Sequence, residues 1–133
     1  MNSIARAAAY DDMATRSIVM GSSSHGLVTL LFEELDNSLK AAEFFLDNQD
    51  LANMRKSVTK ASRVLAGLQG SLDFDKGGEL AVNLAELYRF CIKELIKANS
   101  SADKEVVTSV RGLISPIHRA WNDMPETYSR GQW

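Results

Sequence analysis

A chain of 133 residues with a formal net charge of −2 is one domain by size, long enough to bury about two thirds of the surface its unfolded form exposes. Acids and bases are mixed, so there is no basic field to hold phosphates, which argues against nucleic acid as a ligand. The one cysteine, Cys91, has no internal disulfide partner, no secretory leader is recognisable, and no apolar run approaches the ~20 residues of a membrane span; the expectation is a cytoplasmic protein without membrane insertion.

The first twenty residues hold small apolar side chains around Ala7, Ala8, Ala9 and Tyr10, followed by Asp11 and Asp12. Helix propensity is good there but the apolar face is thin, which predicts a short helix or arm, residues 1–22, lying on something larger. Gly21 and Ser22 to Ser24 break the chain, and Ser24 is the expected N-cap of the first long helix. In that helix, Leu27, Val28, Leu30, Leu31, Phe32, Leu35, Leu39, Ala42, Phe45 and Leu46 spread over roughly 200° of arc. So wide a face either meets neighbours on two sides or offers one flank to a partner.

Asp47 to Asp50, reading DNQD, compete with the backbone for its hydrogen bonds and end the helix. A narrower stripe follows in Met54, Val58, Ala61, Leu65, Leu68 and Leu72, at the three-and-four spacing of a second helix. The segment DFDKGG is turn chemistry, with Asp75 the expected cap of a third helix running from Lys76 to Asn99. Its apolar residues, including Leu80, Leu84, Leu87, Tyr88, Cys91 and Leu95, cover roughly 180°, so it is broad like the first. Asp103 caps the last helix, with Val106, Val110, Leu113, Ile117 and Trp121 on one face and Pro116 inside. That proline predicts a kink or restart between Gly112 and Pro116. From Asn122 onward the chain loses periodicity, and 124–133 reads as a frayed tail. Residues 24–123 thus form an all-α, antiparallel up-down four-helix bundle within a single domain spanning 1–133.

Catalytic readings find little support. A carboxylate-histidine metal centre needs Glu-x-x-His on two helices, yet Ser22 precedes His25 and Ser115 precedes His118 at that spacing. His118 on an exposed face would be the centre of the rival reading, a histidine phosphotransfer or signalling bundle. Cys91 shares the broad apolar face and reads as a small core hydrophobe. Gly77 and Gly78 lack the preceding strand of a phosphate cradle. The pattern therefore predicts no enzyme, cofactor, metal or small-molecule substrate. What remains is breadth, extended by Phe44, Val82 and Phe90, which fall outside their arcs; apolar surface beyond the core suits an amphipathic partner segment.

The order Ala9-Tyr10, then Ser24 with LVTLLFEEL, then GLQGSLDFDKGGELAVNLAELYRFCIKELIKAN, and finally Ala120-Trp121 resembles the flagellar secretion chaperone family FliS across nearly the whole chain. Leu31-Phe32-Glu33, the run from Gly77 to Ala81 leading through Asn83-Leu84 to Leu87-Tyr88, and Ala98-Asn99 carry the likeness. His25 stands where many members have proline, and Glu34 where they have a small residue. The resemblance implies a cytoplasmic four-helix chaperone that holds the disordered C-terminal region of flagellin, prevents its premature polymerisation, and presents it to the gate of the flagellar type III export apparatus. It also implies that the arm with Tyr10 lies over part of the binding surface. The expected contact residues are Tyr10, Val28, Leu31, Phe32, Leu35, Leu39, Leu84 and Tyr88. On helical angle, the flank of Val28, Phe32 and Leu39 is expected to be more exposed than that of Leu27, Leu31 and Phe45.

Overall fold

Three aspartates set the helix starts. Asp50 accepts a hydrogen bond from the Asn53 amide (3.2 Å), Asp73 from Lys76 (3.0 Å) and Asp103 from Glu105 (3.0 Å), each satisfying a donor that the first helical turn leaves open. In the computed structural model, which describes residues 24–124, the elements are α1 (Ser24–Asp47), α2 (Leu51–Gly70), α3 (Phe74–Ser101) and α4 (Lys104–Asp123). Among the described residues all regular structure is helical, as the periodicity predicts. Ser24 is already helical, so the capping position, like the arm through Tyr10, lies outside the described residues.

The turns explain the short connections. After α1, the Asp50 amide reaches back to the Phe45 carbonyl (2.8 Å) and the Gln49 amide to Leu46 (3.1 Å), with Gln49 in the left-handed region at φ 58°. This is a Schellman stop built without glycine. After α3, Ala102 takes φ 55° and its amide bonds to the Ala98 carbonyl (2.8 Å), the simpler left-handed cap.

The start of α3 departs from expectation. Its cap is Asp73 and not Asp75, which instead places its charge in the first turn, where the helix dipole favours an acid. One turn later Gly78 takes φ 53°, ψ −127° and breaks the helical path. Those angles belong to the first central residue of a type II′ turn, which glycine adopts without penalty. Open space surrounds the position, so backbone strain alone governs a substitution. Gly78→Ala is expected to cost about 1–3 kcal/mol, read as a lower urea midpoint with unchanged slope.

Pro116 corrects a second expectation: α4 runs uninterrupted from Lys104 to Asp123. A proline ring presses on the carbonyl four residues back, and here that residue is Gly112, with nothing near its missing side chain. Buried Val110, Ile114 and Trp121 on both sides of the proline anchor the helix, and Asn122 and Asp123 continue it past the predicted fray.

Packing closes a ring in which α1 meets α2 and α4, and α3 meets α2 and α4. The two broad helices therefore lie across the diagonal. Met54, Val58, Ala61, Leu65 and Leu68 of α2 face Leu31, Leu35, Leu39, Tyr88, Cys91 and Leu95 in one core, joined by Val107, Val110 and Trp121 from α4. On α1 both flanks are consumed by neighbours. Phe32 turns toward α4, stacking on His118 at 5.2 Å, while Glu34 on the other flank reaches Lys60 of α2 at 2.6 Å.

Candidate functional surface

The expected contact residues come together, but inside the bundle. Val28, Leu31, Phe32, Leu35, Leu39, Leu84 and Tyr88 all belong to the buried core, and Tyr10 lies outside the described residues. The expected exposure of the Val28, Phe32 and Leu39 flank is not met: all three are buried, Phe32 at 1% exposure, while on the other flank Leu31 is equally buried and Leu27 and Phe45 only partly so. Angle along one helix locates a flank without saying which neighbour fills it. Here α4 brings Trp121 and His118 against that side.

The four seams between helices differ in how they are closed. Across α1–α4, Lys104 pairs with Asp47 (2.8 Å), Thr108 donates to Glu43 (2.8 Å), and Arg111 bridges Glu43 (2.8 Å) and Asp36 (3.4 Å). Burial works against ionisation of Asp36, but the hydrogen bonds and charges of Lys40 and Arg111 outweigh it and hold the carboxyl below its ordinary value of 3.8. Its stabilising contribution is present above that value and is lost as pH falls through the lowered one. At the other end of the same seam the indole N–H of Trp121 donates to Thr29 Oγ1 (2.9 Å), and His25 stacks on the indole at 4.6 Å. Lys60–Glu34 spans α1–α2. Across α2–α3, Gln69 donates to the Ala85 carbonyl (3.5 Å), Arg55 to the Asn99 carbonyl (3.1 Å), and Asn99 to Thr59 (3.4 Å).

Among the described residues no side-chain hydrogen bond or ion pair crosses α3–α4. The lining of this seam is mostly apolar, with the half-buried Glu94 one heptad beyond Leu87 on the same flank of α3. Ala85 and Asn99 mark the side of α3 that faces α2, and Leu80, Leu84 and Leu87 lie roughly 100–160° round from Ala85. On α4, Arg111 marks the α1 side, and Leu113 and Ile117 lie about 120–160° away. Leu80 is 44% and Leu113 41% exposed, while Leu87 and Ile117 pack partly buried against the core. The α4 rim beyond them, Ser109, Pro116 and Ala120, is exposed and uncharged. A shallow apolar strip without polar closure can take the apolar face of a partner helix, and it cannot solvate a charge. Two signals in the sequence mark this strip: the width of α3 and the absence of charge along one flank of α4.

The remaining reactive groups sit elsewhere. Cys91 is fully buried, and burial followed by the nearby Glu94 charge pushes its thiol up to about 11, far from the thiolate a nucleophile requires. Burial also raises the Tyr88 phenol. His118 is half-buried, its Nε2 enclosed without a hydrogen-bond partner and its ring stacked on Phe32; this is not the open imidazole the phosphotransfer reading needs. Among the described residues no three metal-ligating side chains cluster, and no helix is long and apolar enough to cross a membrane.

The seam's sequence context connects it to known proteins. The family profile described as "Flagellar protein FliS" matches residues 6–128. The flagellar secretion chaperone FliS of Salmonella typhimurium (strain LT2) is 37% identical over 117 residues, covering 87% of each chain. That of Escherichia coli (strain K12) is 33% identical over 116 residues, 86% of this chain and 85% of its own. FliSB of Pseudomonas aeruginosa (strain PAO1) is 28% identical over 113 residues, 85% of this chain and 90% of its own. With the profile spanning both rims of the seam and all four helices, the chain belongs to the FliS family.

Proposed function

We propose that this chain is a cytoplasmic flagellar secretion chaperone that holds the disordered C-terminal region of flagellin, keeps it from polymerising early, and presents it to the export gate of the flagellar type III apparatus. Family membership over residues 6–128 carries this reading, and the α3–α4 strip supplies the physical means. An unfolded segment that orders on a partner gives up on the order of 2–5 kcal/mol, so it must bury a long apolar face to stay bound. Leu80, Leu87, Leu113 and Ile117 offer such a face along the bundle. The core residues Val28, Leu31, Phe32, Leu35, Leu39, Leu84 and Tyr88 serve binding by fixing the shape of the helices that carry the strip. Tyr10, outside the described residues, is proposed as a further contact of the partner.

Titration of the full chain with a flagellin C-terminal fragment tests this. The expected result is a saturable complex with a gain of helix signal in circular dichroism beyond the sum of the two components. Saturation without any gain would mean the segment is held extended, and no binding would remove the chaperone reading.

A further inference from the structure

Acids and bases that are mixed along the sequence are sorted by the fold. The charged residues of α2, Arg55, Lys56, Lys60 and Arg63, are all basic, whereas α1 carries Glu33, Glu34, Asp36, Glu43 and Asp47 against Lys40. Hydrogen bonds from Arg55 to the Asn99 carbonyl (3.1 Å) and from Gln69 to the Ala85 carbonyl (3.5 Å) set α2 against α3, and in that register Arg63 stands about level with Lys93. Counted round each helix, Lys56 and Arg63 on α2 and Arg89, Lys93 and Lys97 on α3 lie on the same side of the bundle, with Arg55 at the seam. All six are exposed. Among the described residues Arg55, Lys56, Arg63, Arg89 and Lys93 form no ion pair, and Lys97 meets only Glu94 at the surface (3.1 Å). Arg89, Lys93 and Lys97 are like charges at four-residue spacing, an arrangement that opposes the helix they sit on. Ile96, 61% exposed, stands among the bases, and Glu86 is the acid on this side of α3 nearest to them.

Glu86 and Glu94 offset only part of this charge, and the chain's net charge of −2 conceals it. We propose that the α2–α3 face rests on an anionic lipid surface, with its bases among the headgroups and Ile96 entering between them. A leaflet rich in anionic lipids attracts clustered Lys and Arg within a Debye length, and an apolar side chain among them adds area buried at the headgroup boundary. The shape of the face favours lipid over an acidic peptide. Arg55, Gln69 and Asn99 close the α2–α3 seam with polar ties, so no apolar groove seats a helix there. The bases stand on two convex helix surfaces roughly 10 Å apart, a spacing that mobile headgroups match without a fitted partner. The acids of α1 lie toward the other side of the bundle and are repelled by the same surface, which fixes the face that goes down. The α3–α4 strip is about a quarter turn away round α3 and stays open, so lipid and a strip-bound segment can be held together. The contact is peripheral, since among the described residues no helix is long and apolar enough to cross a membrane.

Co-sedimentation of the full chain with vesicles of phosphatidylcholine, alone or mixed with phosphatidylglycerol, at low and high salt, tests the proposal. Arg63→Glu, Lys93→Glu and Ile96→Ser alter exposed positions of the face, and Arg119→Glu makes the same change in net charge at an exposed position of α4 on the far side. Coincident thermal melts verify the fold, and Arg63→Gln or Lys93→Gln stands in for a variant that melts early. The wild type is expected to bind the anionic vesicles at low salt, to leave them at high salt and to ignore the neutral ones. Arg63→Glu and Lys93→Glu should each weaken binding at least about fivefold and Ile96→Ser about fivefold, while Arg119→Glu changes it less than about twofold. A wild type that ignores the anionic vesicles or binds neutral ones equally, unchanged binding of both charge variants, or an equal loss in Arg119→Glu would each overturn the proposal. So would retention of the wild type by poly-glutamate or an RNA oligonucleotide and not by the vesicles, which would assign the face to an acidic protein or a nucleic acid.

Discussion

Trp121→Ala is expected to destabilise the bundle by about 3–5 kcal/mol and to lower the melting temperature by roughly 10–20 °C for a chain of this size. Trp121 is 3% exposed and holds the end of α4 against the start of α1. Its indole donates to Thr29 Oγ1 (2.9 Å), and the Thr29 hydroxyl in turn donates to the His25 carbonyl (3.0 Å). Its ring stacks on His25 at 4.6 Å and tilts against Phe32 at 6.2 Å. Truncation would open a cavity the width of an indole between two helices whose other polar ties, Lys104–Asp47, Thr108–Glu43 and the Arg111 pairs, lie at or near the surface and contribute little each. Trp121→Phe keeps most of the packing and removes the indole N–H. The Thr29 hydroxyl still has the His25 carbonyl, so a loss of only about 1 kcal/mol is expected. Calorimetry on both variants separates the two contributions. An unchanged transition in Trp121→Ala would show that α4 is held by the Val107, Val110 and Ile114 contacts alone.

The comparison of Asp103 with Asp75 shows what a sequence can and cannot specify. Asp103 is the last of the capping residues in NSSAD and stands directly before a clear stripe, so its role is legible. In DFDKGG two aspartates stand two residues apart, both able to cap, and the choice falls on Asp73 because Gly78 can absorb the resulting break with φ 53°. The core stripe of α2 was legible because that helix has one apolar face and one place to put it, whereas on α4 only Val110 and Trp121 of the expected face are buried, Val107 and Ile114 take the other core positions, and Leu113 is exposed. The broad faces of α1 and α3 were not legible either. Helical angle puts Phe32 on a flank, but only the packing of α4 shows that His118 and Trp121 bury it. Phe44, Val82 and Phe90, outside any arc, are exposed as their positions implied. Pro116 misled because the rule against interior prolines counts one lost hydrogen bond and one clash. It does not count a glycine at the clash position or the buried residues on either side.

The strip along α3–α4 yields the sharpest functional expectation. Leu80 and Leu113 are its most exposed members, 44% and 41%, so Leu80→Asp and Leu113→Asp should each shift stability by no more than about 1 kcal/mol. A carboxylate there faces the apolar side of an incoming helix, which offers it neither water nor a hydrogen-bond donor. Each single variant is expected to weaken binding of the flagellin C-terminal fragment about tenfold, and the pair at least about a hundredfold, as central apolar anchors do when truncated or charged. Phe32→Asp provides the contrast, because its side chain is buried between α1 and α4 and the variant should fail to fold. Glu33→Lys, on the exposed outer side of α1, should leave both fold and affinity unchanged. If a strip variant proves unstable, Leu113→Ser removes the apolar anchor without adding charge and asks the same question. Full affinity in folded Leu80→Asp/Leu113→Asp would place the partner on another face of the bundle, with the α1–α2 rim around the partly buried Leu27 and Phe45 the next to charge.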